Sequence, residues 1–380
     1  MSTLSPVIAS DIASAAYQAR LKRKSISLQN STKVHFKFDV NNVISGTSGG
    51  FFYRPSSGFL IAGLGVSEVY KRDIVFSFRG TKTLADILTN VTANAKGTQS
   101  GELVHSGFQG TLNSMIPEIK SFLKRSQSCE VLNIHCVGHS LGGALATLAA
   151  NWLKSSSEIS AKVHLYTFGA PRVGGKNFSM NATQRVDSIF RCVNGGDPVP
   201  KVPVWPFYHA PYNGIEYLAC RQQGLIPSAH DLARYAKLTD FQSWEKIYSQ
   251  KVANALERVV LNYRNRLEVK TNDFWADRIS AAILTLLIDG GLASFVFGAQ
   301  ALGAGIATIY DAIARSMVKI SELSSEFADR VKGLLGHMLV FAGKGAQIAI
   351  KFTYSFIRWV FELVLGKLNQ AVKAALKTSF

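Results

Sequence analysis

The chain has 380 residues, more than one compact domain usually contains, so its length predicts a large domain with a second unit appended. Hydrophobic residues make up 47% of the chain and charged residues 18%, a balance that excludes an intrinsically disordered protein. Lys and Arg outnumber Asp and Glu by 42 to 25, and most of the net charge of +17 lies before residue 271. Such a charge favours polyanionic partners, of which acidic membranes and nucleic acids are the common kinds.

The sequence lacks the motifs that usually accompany nucleic-acid binding, namely zinc-ligand spacing, a basic helical arm and an aromatic RNA-binding signature. It therefore predicts no nucleic-acid partner. The four cysteines are too few and too scattered for a disulfide framework, and we expect free thiols. At the N terminus, Asp11 interrupts the apolar stretch and the basic residues follow it. We therefore expect no cleavable secretion signal, and a protein that is cytoplasmic in its producer or exported to a target membrane by a signal-independent route.

Short runs rich in β-branched and aromatic residues alternate with helical segments in the first 250 residues, which is typical of an α/β fold with a mostly parallel sheet. The predicted strands are Asp73 to Phe78, Val131 to Val137, Val163 to Phe168 and Ser188 to Val193, and the clearest predicted helices are Gly110 to Lys124 and Leu141 to Leu153. Each strand ends in a glycine-rich or polar loop, and in parallel sheets ligands bind at the carboxyl ends of strands. We therefore expect the active site at these loops, in a domain of residues 1–250, followed by an apolar helical region of residues 251–380.

The sequence around Ser140, Gly138-His139-Ser140-Leu141-Gly142, is a G-x-S-x-G pattern between a predicted strand and a predicted helix. This context is typical of a serine nucleophile, because a tight strand-to-helix turn exposes the hydroxyl and glycines let the two backbones pass closely. A serine hydroxyl needs a histidine to take its proton and a carboxylate to orient that histidine. In this type of site the partners follow the serine in the order acid, then histidine.

Asp197 is the predicted acid, because it follows the last predicted strand and so lies at the same edge of the sheet as Ser140. Asp187 precedes its strand and Asp231 follows no strand, which makes both weaker candidates. His230 is the predicted base, since it follows a proline-bearing loop and precedes an apolar periodic segment. His209, in an aromatic stretch, and His337, in the helical region, stay open as alternatives.

Two donors must stabilise the oxyanion that forms during acyl transfer. The backbone N–H of Leu141, which opens the helix after the nucleophile, is the first predicted donor. Thr81, at the end of the strand Asp73 to Phe78, is the second, through its N–H and its hydroxyl.

These motifs together resemble the class 3 (fungal-type) lipase family of α/β hydrolases over roughly residues 45 to 245. The resemblance rests on Phe78-Arg79-Gly80-Thr81, His105-Ser106-Gly107-Phe108, Val137 through Gly143, Phe168 through Gly174 and Asn194 through Pro203. It implies an α/β-hydrolase sheet with helices on both faces and hydrolysis of carboxylic esters in lipids. It also implies a triad of Ser140, Asp197 and His230, oxyanion donors at Thr81 and Leu141, and no metal or cofactor in the chemical step. In such lipases a helical lid follows the oxyanion strand, and here that segment is Thr83 to Val91.

The N-terminal run Leu4 to Tyr17, the missing signal peptide and the hydrophobic tail are similar to lipase effectors of bacterial type VI secretion systems. This second resemblance implies a phospholipase toxin with a dedicated immunity protein as partner.

The C-terminal region contains 290–310, a charge-free run long enough to span a bilayer or to form a buried helix rich in small residues. Further on, Arg330, His337, Lys344, Lys351 and Arg358 recur every seven residues, which predicts one narrow basic stripe along a continuous helix. Such a helix would pack in a soluble bundle, attach to a membrane, or form a pore or partner interface.

The sequence as a whole predicts a serine-dependent lipid esterase, a phospholipase A acting on membrane phospholipids. The alternatives are a triacylglycerol lipase and a membrane-disrupting toxin whose apolar tail forms a pore.

Overall fold

A computed structural model gives the architecture of most of the chain. It describes residues 3–21, 25–47, 56–81, 84, 95–97, 102–126, 130–204, 206–212, 215–240, 242–248, 258–296, 309–345 and 347–378. The strands among them are β1 (Phe36–Thr47), β2 (Ser56–Gly65), β3 (Asp73–Phe78), β4 (Ala95–Gly97), β5 (Leu103–His105), β6 (Asn133–His139), β7 (Lys162–Phe168), β8 (Ser188–Asn194) and β9 (Tyr217–Cys220).

Seven of these strands form one mixed sheet in the order β1-β2-β3-β6-β7-β8-β9. Strands β3, β6, β7, β8 and β9 are parallel, while β2 runs antiparallel to both β1 and β3. The parallel strands therefore end at one edge of the sheet, as the sequence predicts. Strands β4 and β5 form a separate antiparallel pair.

The four predicted strands are all present, and the first, β3, has the predicted bounds. Strand β6 begins and ends two residues later than predicted, so the chain leaves the sheet directly at Ser140. The hairpin β1-β2 and the edge strand β9 were not predicted. The bulged pairing of β1 with β2 breaks the regular alternation of apolar residues on which strand prediction depends.

Helices cover both faces of the sheet and continue beyond it. They are α1 (Pro6–Ala15), α2 (Asn30–Lys33), α3 (Ser106–Ser126), α4 (Leu141–Ser155), α5 (Lys176–Arg185), α6 (Leu232–Thr239), α7 (Trp244–Tyr248), α8 (Asp273–Asp289), α9 (Ile309–Ser321), α10 (Ser325–Phe341) and α11 (Tyr354–Thr378). Short 3-10 turns span Ala16–Leu21, Val199–Lys201, Pro227–His230 and Tyr263–Glu268.

Alternate residues of the central strands face two hydrophobic cores. Residues such as Val75 and Val137 pack with α1, α6 and α7 on one face. Their neighbours Phe76 and Cys136 pack with α3, α4 and α5 on the other face. This is the fold predicted from the sequence, an α/β-hydrolase sheet between two helical layers, followed by a helical C-terminal region.

The C-terminal helices α8 to α11 share a hydrophobic core with the second face of the sheet. Buried residues of all four helices belong to the same cluster as those of α3 and α4. Helix α11 also packs against the 3-10 turn Pro227–His230, and α8 packs against the turn Val199–Lys201. The helical region thus contacts the loops that follow β8 and β9.

The prediction of one continuous basic stripe is wrong. Helix α10 ends near Gly343, whose φ of 77° lies in the left-handed region that terminates helices, and α11 begins only at Tyr354. Arg330 forms an ion pair with Asp289, Arg358 pairs with Asp311, and His337 is buried. The regular spacing therefore spans two helices, with two of its cations neutralised by carboxylates of other helices.

Within the described residues, no helix combines the length and the apolar character needed to cross a membrane. Most of the run 290–310 lies outside the described residues, so its predicted span or buried helix stays a prediction. The predicted lid, 83–91, lies outside them too, except for Leu84, which is buried.

Candidate active site

Ser140 lies at the turn between β6 and α4. Its φ of 59° and ψ of −131° place it in the left-handed half of backbone space, and no other described non-glycine residue has a positive φ. This conformation costs free energy, and it turns the side chain away from both elements. A methyl group at Gly138 would lie 2.2 Å from the carbonyl oxygen of Gly142, and one at Gly142 would lie 2.0 Å from that of Phe78. The two glycines are therefore required by backbone contact, as the sequence pattern predicts.

His230 is the last residue of the 3-10 turn Pro227–His230, and its imidazole contacts the side chain of Ser140. Its Nε2 lies 2.9 Å from Ser140 Oγ, and its Nδ1 lies 2.9 Å from Asp197 Oδ2. All three side chains are fully buried. Hydroxyl, imidazole and carboxylate, from parts of the chain up to 90 residues apart, form one continuous row of hydrogen bonds.

Asp197 accepts hydrogen bonds at both carboxylate oxygens. The N–H of Val199 donates to Oδ1 over 2.8 Å, and the hydroxyl of Tyr235 donates to Oδ2 over 2.7 Å. With His230 this makes three hydrogen-bond contacts to one buried carboxyl group, an arrangement that holds it in one orientation. The carboxylate in turn fixes the tautomer of His230, with the proton on Nδ1 and the acceptor Nε2 facing Ser140.

Tyr235 is a site residue that the sequence did not predict. Its hydroxyl donates to Asp197 and accepts from the backbone N–H of Asn194 over 2.9 Å. Burial and the adjacent Asp197 carboxylate raise its pKa well above that of an ordinary tyrosine, so the phenol stays a donor. The sequence holds no local signal for this role, because α6 meets the end of β8 only in the folded chain.

Gly169, directly after β7, also contributes by its lack of a side chain. Its φ is 56°, and a methyl group there would lie 2.7 Å from Asp197 Oδ2 and 3.0 Å from His230 Nδ1. The backbone therefore approaches the acid and the base more closely than any other residue type would allow.

The other candidate residues lie apart from this row of hydrogen bonds. His209 bonds the carbonyl oxygen of Pro200 through Nε2, and His337 bonds that of Gly333. Asp187 accepts from the N–H of Val163 at the opposite edge of the sheet. Asp231 caps the N terminus of α6 by accepting from the N–H of Ala233.

The predicted oxyanion donors belong to two segments that follow β6 and β3. Leu141 is the first residue of α4, where backbone N–H groups lack partners within the helix and the helix dipole favours negative charge. Thr81 follows β3, whose end touches the first turn of α4 at Gly142. The arrangement can stabilise negative charge on an oxygen bound next to Ser140, which is the requirement of acyl transfer.

The described residues contain no group of three or more His, Cys, Asp or Glu side chains placed to hold a metal ion. The described cysteines are free thiols, and burial raises the pKa of Cys136 and of Cys192. The remaining cysteine of the sequence, Cys129, lies outside the described residues, so its free thiol stays a prediction.

Comparison with known proteins shows a similarity to one family. Residues 75–207 match the family Lipase (class 3). Phospholipase A(1) DAD1 of Arabidopsis thaliana is 35% identical over 157 residues, which cover 36% of this chain and 35% of that protein. Secreted mono- and diacylglycerol lipase 1 of Fusarium solani is 33% identical over 136 residues, covering 35% of this chain and 40% of that protein. The chain thus spans between a third and two fifths of the length of these relatives.

Among solved structures, this chain is similar to a triacylglycerol lipase whose catalytic centre is described as a serine protease triad. The two chains are 22% identical with a TM-score of 0.45, and the match covers 56% of this chain and 78% of the lipase. The family match contains Ser140, Asp197 and Thr81 and ends before His230. Over residues 75–207 the chain is therefore similar to the class 3 lipase family.

Proposed function

We propose that the protein hydrolyses carboxylic esters of lipids, with Ser140 as nucleophile, His230 as general base and acid, and Asp197 as the carboxylate that orients it. The observation that carries the proposal is the row of hydrogen bonds from Ser140 Oγ through His230 to Asp197, with 2.9 Å at each contact. Ser140 lies in a strained strand-to-helix turn, which projects its hydroxyl for attack.

The proposed reaction has two halves. Ser140 Oγ attacks the ester carbonyl carbon while its proton passes to His230 Nε2, and the carbonyl oxygen takes the negative charge between the N–H groups of Leu141 and Thr81. The C–O bond of the ester then breaks, and His230 returns the proton to the leaving alcohol. A water molecule, deprotonated by His230, then attacks the acyl carbon; the bond to Ser140 Oγ breaks, His230 returns the proton to Oγ, and the fatty acid is released.

We further propose that the substrate is a membrane phospholipid and the activity that of a phospholipase A. The net charge of +17, concentrated before residue 271, favours binding to anionic bilayers. Among the relatives, phospholipase A(1) DAD1 is named as such an enzyme, and the Fusarium solani protein as a mono- and diacylglycerol lipase. The effector role and the immunity-protein partner stay predictions of the sequence resemblance.

The test is product analysis after incubation with a mixed-acyl phosphatidylglycerol and, separately, a triglyceride. We expect release of one fatty acid and a lysophospholipid, and the identity of the acid gives the acyl position. Ser140→Ala should lower turnover by about 10⁴-fold or more while thermal unfolding stays that of a folded protein. Full activity of Ser140→Ala would refute the assignment of the nucleophile, and cleavage of the triglyceride alone would refute the phospholipase.

Dye release from anionic vesicles separates the enzyme from the pore-forming alternative. A phospholipase releases dye only as the lipid is cleaved, so Ser140→Ala should leave the vesicles intact. Undiminished release by Ser140→Ala would show that the protein disrupts membranes without ester hydrolysis.

A further inference from the structure

Tyr17, in the 3-10 turn Ala16–Leu21, lies between the two halves of the proposed oxyanion site. Its hydroxyl is 2.7 Å from Nδ1 of His139, the last residue of β6, and the backbone N–H of Gly80 donates to the same hydroxyl over 3.1 Å. On the far side of the ring, His139 Nε2 is 2.9 Å from the backbone carbonyl oxygen of His230. Tyr17 is outside residues 75–207, and neither the sequence motifs nor the family match assigns it a role.

The direction of each hydrogen bond follows from the end groups. The carbonyl oxygen of His230 can only accept, so His139 carries its proton on Nε2. The N–H of Gly80 can only donate, so Tyr17 accepts there and directs its own proton to His139 Nδ1. Each hydrogen bond thus runs in the same direction, from Gly80 to Tyr17, from Tyr17 to His139 and from His139 to His230. All three form when Tyr17 and His139 are both neutral.

The surroundings keep both groups neutral. Burial, together with the nearby His230, holds the pKa of His139 well below that of an ordinary histidine. Burial also raises the pKa of Tyr17, outweighing the opposing effects of its Gly80 contact and of Arg79. Both groups therefore stay in the neutral forms that this direction of hydrogen bonding requires.

We propose that Tyr17 is a positioning residue, which fixes the loop of the second oxyanion donor relative to the nucleophile turn and the backbone of the base. Gly80 directly precedes Thr81, so the contact with Tyr17 restrains the backbone that presents the N–H of Thr81. The same side chain, through His139, bonds the backbone of His230. This inference rests on the proposed function, because it assumes acyl transfer at Ser140.

The N-terminal segment is held in place by contacts that do not involve Tyr17. The N–H of Leu4 donates to the hydroxyl of Tyr166 over 2.9 Å, and the indole N–H of Trp244 donates to the Leu4 carbonyl oxygen over 2.7 Å. The hydroxyl of Ser77 in β3 donates to the carbonyl oxygen of Ile12 over 2.9 Å. Removing the Tyr17 hydroxyl alone therefore leaves the segment anchored to the sheet.

Tyr17→Phe tests the inference, and Tyr166→Phe is the matched control. The Tyr166 hydroxyl also binds the N-terminal segment, but it does so at Leu4 and not next to Ser140. We expect Tyr17→Phe to lower kcat about 10-fold to 100-fold with KM within about twofold, since misplaced transition-state donors affect the chemical step. Its rate of covalent inhibition by a p-nitrophenyl phosphonate, which places a charged oxygen in the oxyanion site, should fall in parallel. Tyr166→Phe should change neither rate.

His139→Gln provides a second variant, because its amide N–H can still donate towards the His230 carbonyl oxygen while the ring nitrogen Nδ1 that accepts from Tyr17 is lost. It should reproduce the lower kcat, and the double variant should lose no more than either single one. An unchanged kcat in Tyr17→Phe, or an equal loss in Tyr166→Phe, would overturn the inference. If Ser140→Ala is inactive in the same assay the proposed function still stands, whereas an active Ser140→Ala refutes that function itself.

Discussion

At the residue scale, the candidate site depends on residues that fix the positions of the reacting groups as well as on those groups themselves. Gly169 has a left-handed backbone and lies against both Asp197 and His230, and Tyr235 adds a third donor to the Asp197 carboxylate. In the proposed mechanism neither residue takes part in proton transfer from Ser140. Both restrict the position of the acid, and a fixed acid is what orients the imidazole.

Gly169→Ala should therefore inactivate without unfolding the protein. The added methyl group would push Asp197 and His230 from their present positions, and we expect kcat to fall by about 100-fold. The left-handed backbone should add a loss of about 1–2 kcal/mol in the free energy of unfolding. Gly175→Ala is the matched control, because its methyl group would meet only Leu103 at ordinary contact distance. Esterase assays and urea unfolding measure both effects, and a fully active Gly169→Ala would contradict this account.

At the element scale, helix α8 is joined by charge to the loops beyond the sheet. Asp277 of α8 accepts from Lys201 Nζ over 2.7 Å and from Arg172 Nη2 over 3.0 Å. Arg172 also donates to the carbonyl oxygens of Lys201 and Pro203. Although burial opposes it, these two cations hold the pKa of Asp277 below its usual value. The C-terminal region thus contacts the turn Val199–Lys201, which begins two residues after Asp197.

Asp277→Asn should lower the free energy of unfolding at pH 7 by about 2–3 kcal/mol, because it leaves two largely buried cations without their carboxylate. Asp329→Asn removes the same charge from an exposed position of α10 and should change stability by less than about 0.5 kcal/mol. Urea unfolding of both variants against the parent protein provides the comparison. Equal stability of the two variants would show that the Asp277 pairs do not join α8 to the sheet domain.

At the scale of the whole molecule, burial of histidines ties stability to pH. Burial lowers the pKa of His105 to about 3 and, helped by the nearby His135, that of His164 to about 4. Burial also lowers the pKa values of His135, His139, His209 and His337. Each of the six side chains therefore binds a proton less readily in the folded protein than in the unfolded chain.

The free energy of unfolding should therefore fall as pH decreases below about 6.5. The unfolded state binds more protons there, and each histidine that is protonated only when unfolded adds up to about 1.4 kcal/mol per pH unit to the slope. The effect is absent above the ordinary histidine pKa. Urea unfolding at pH 8, 7, 6 and 5 should show the decline, and His164→Gln should make it shallower. A stability that is constant from pH 8 to pH 5 would contradict the prediction.

Much of the candidate site was predictable because local rules specify it. A G-x-S-x-G pattern between a strand and a helix fixes the place of Ser140, and parallel strands bring their carboxyl ends to one edge, which places Asp197 beside it. The order of residues in the chain reduced the histidines to three, and the fold brings His230 to Ser140. Strand β3 was predicted to the residue, because six consecutive buried positions leave no other pattern.

The sequence by itself determined the central parallel strands, the edge that holds the candidate site and the residues that short-range geometry places there. Only the tertiary structure decided what the rest of the chain contributes, namely Tyr17 from the N terminus, Tyr235 from α6 and Asp277 from the C-terminal helices. The even spacing of basic residues from 330 to 358 suggested one helix, and the fold divided it between two. The physical reason is that local patterns reflect steric rules within a few residues, whereas these contacts join segments separated by tens to more than a hundred residues and form only when the whole core packs.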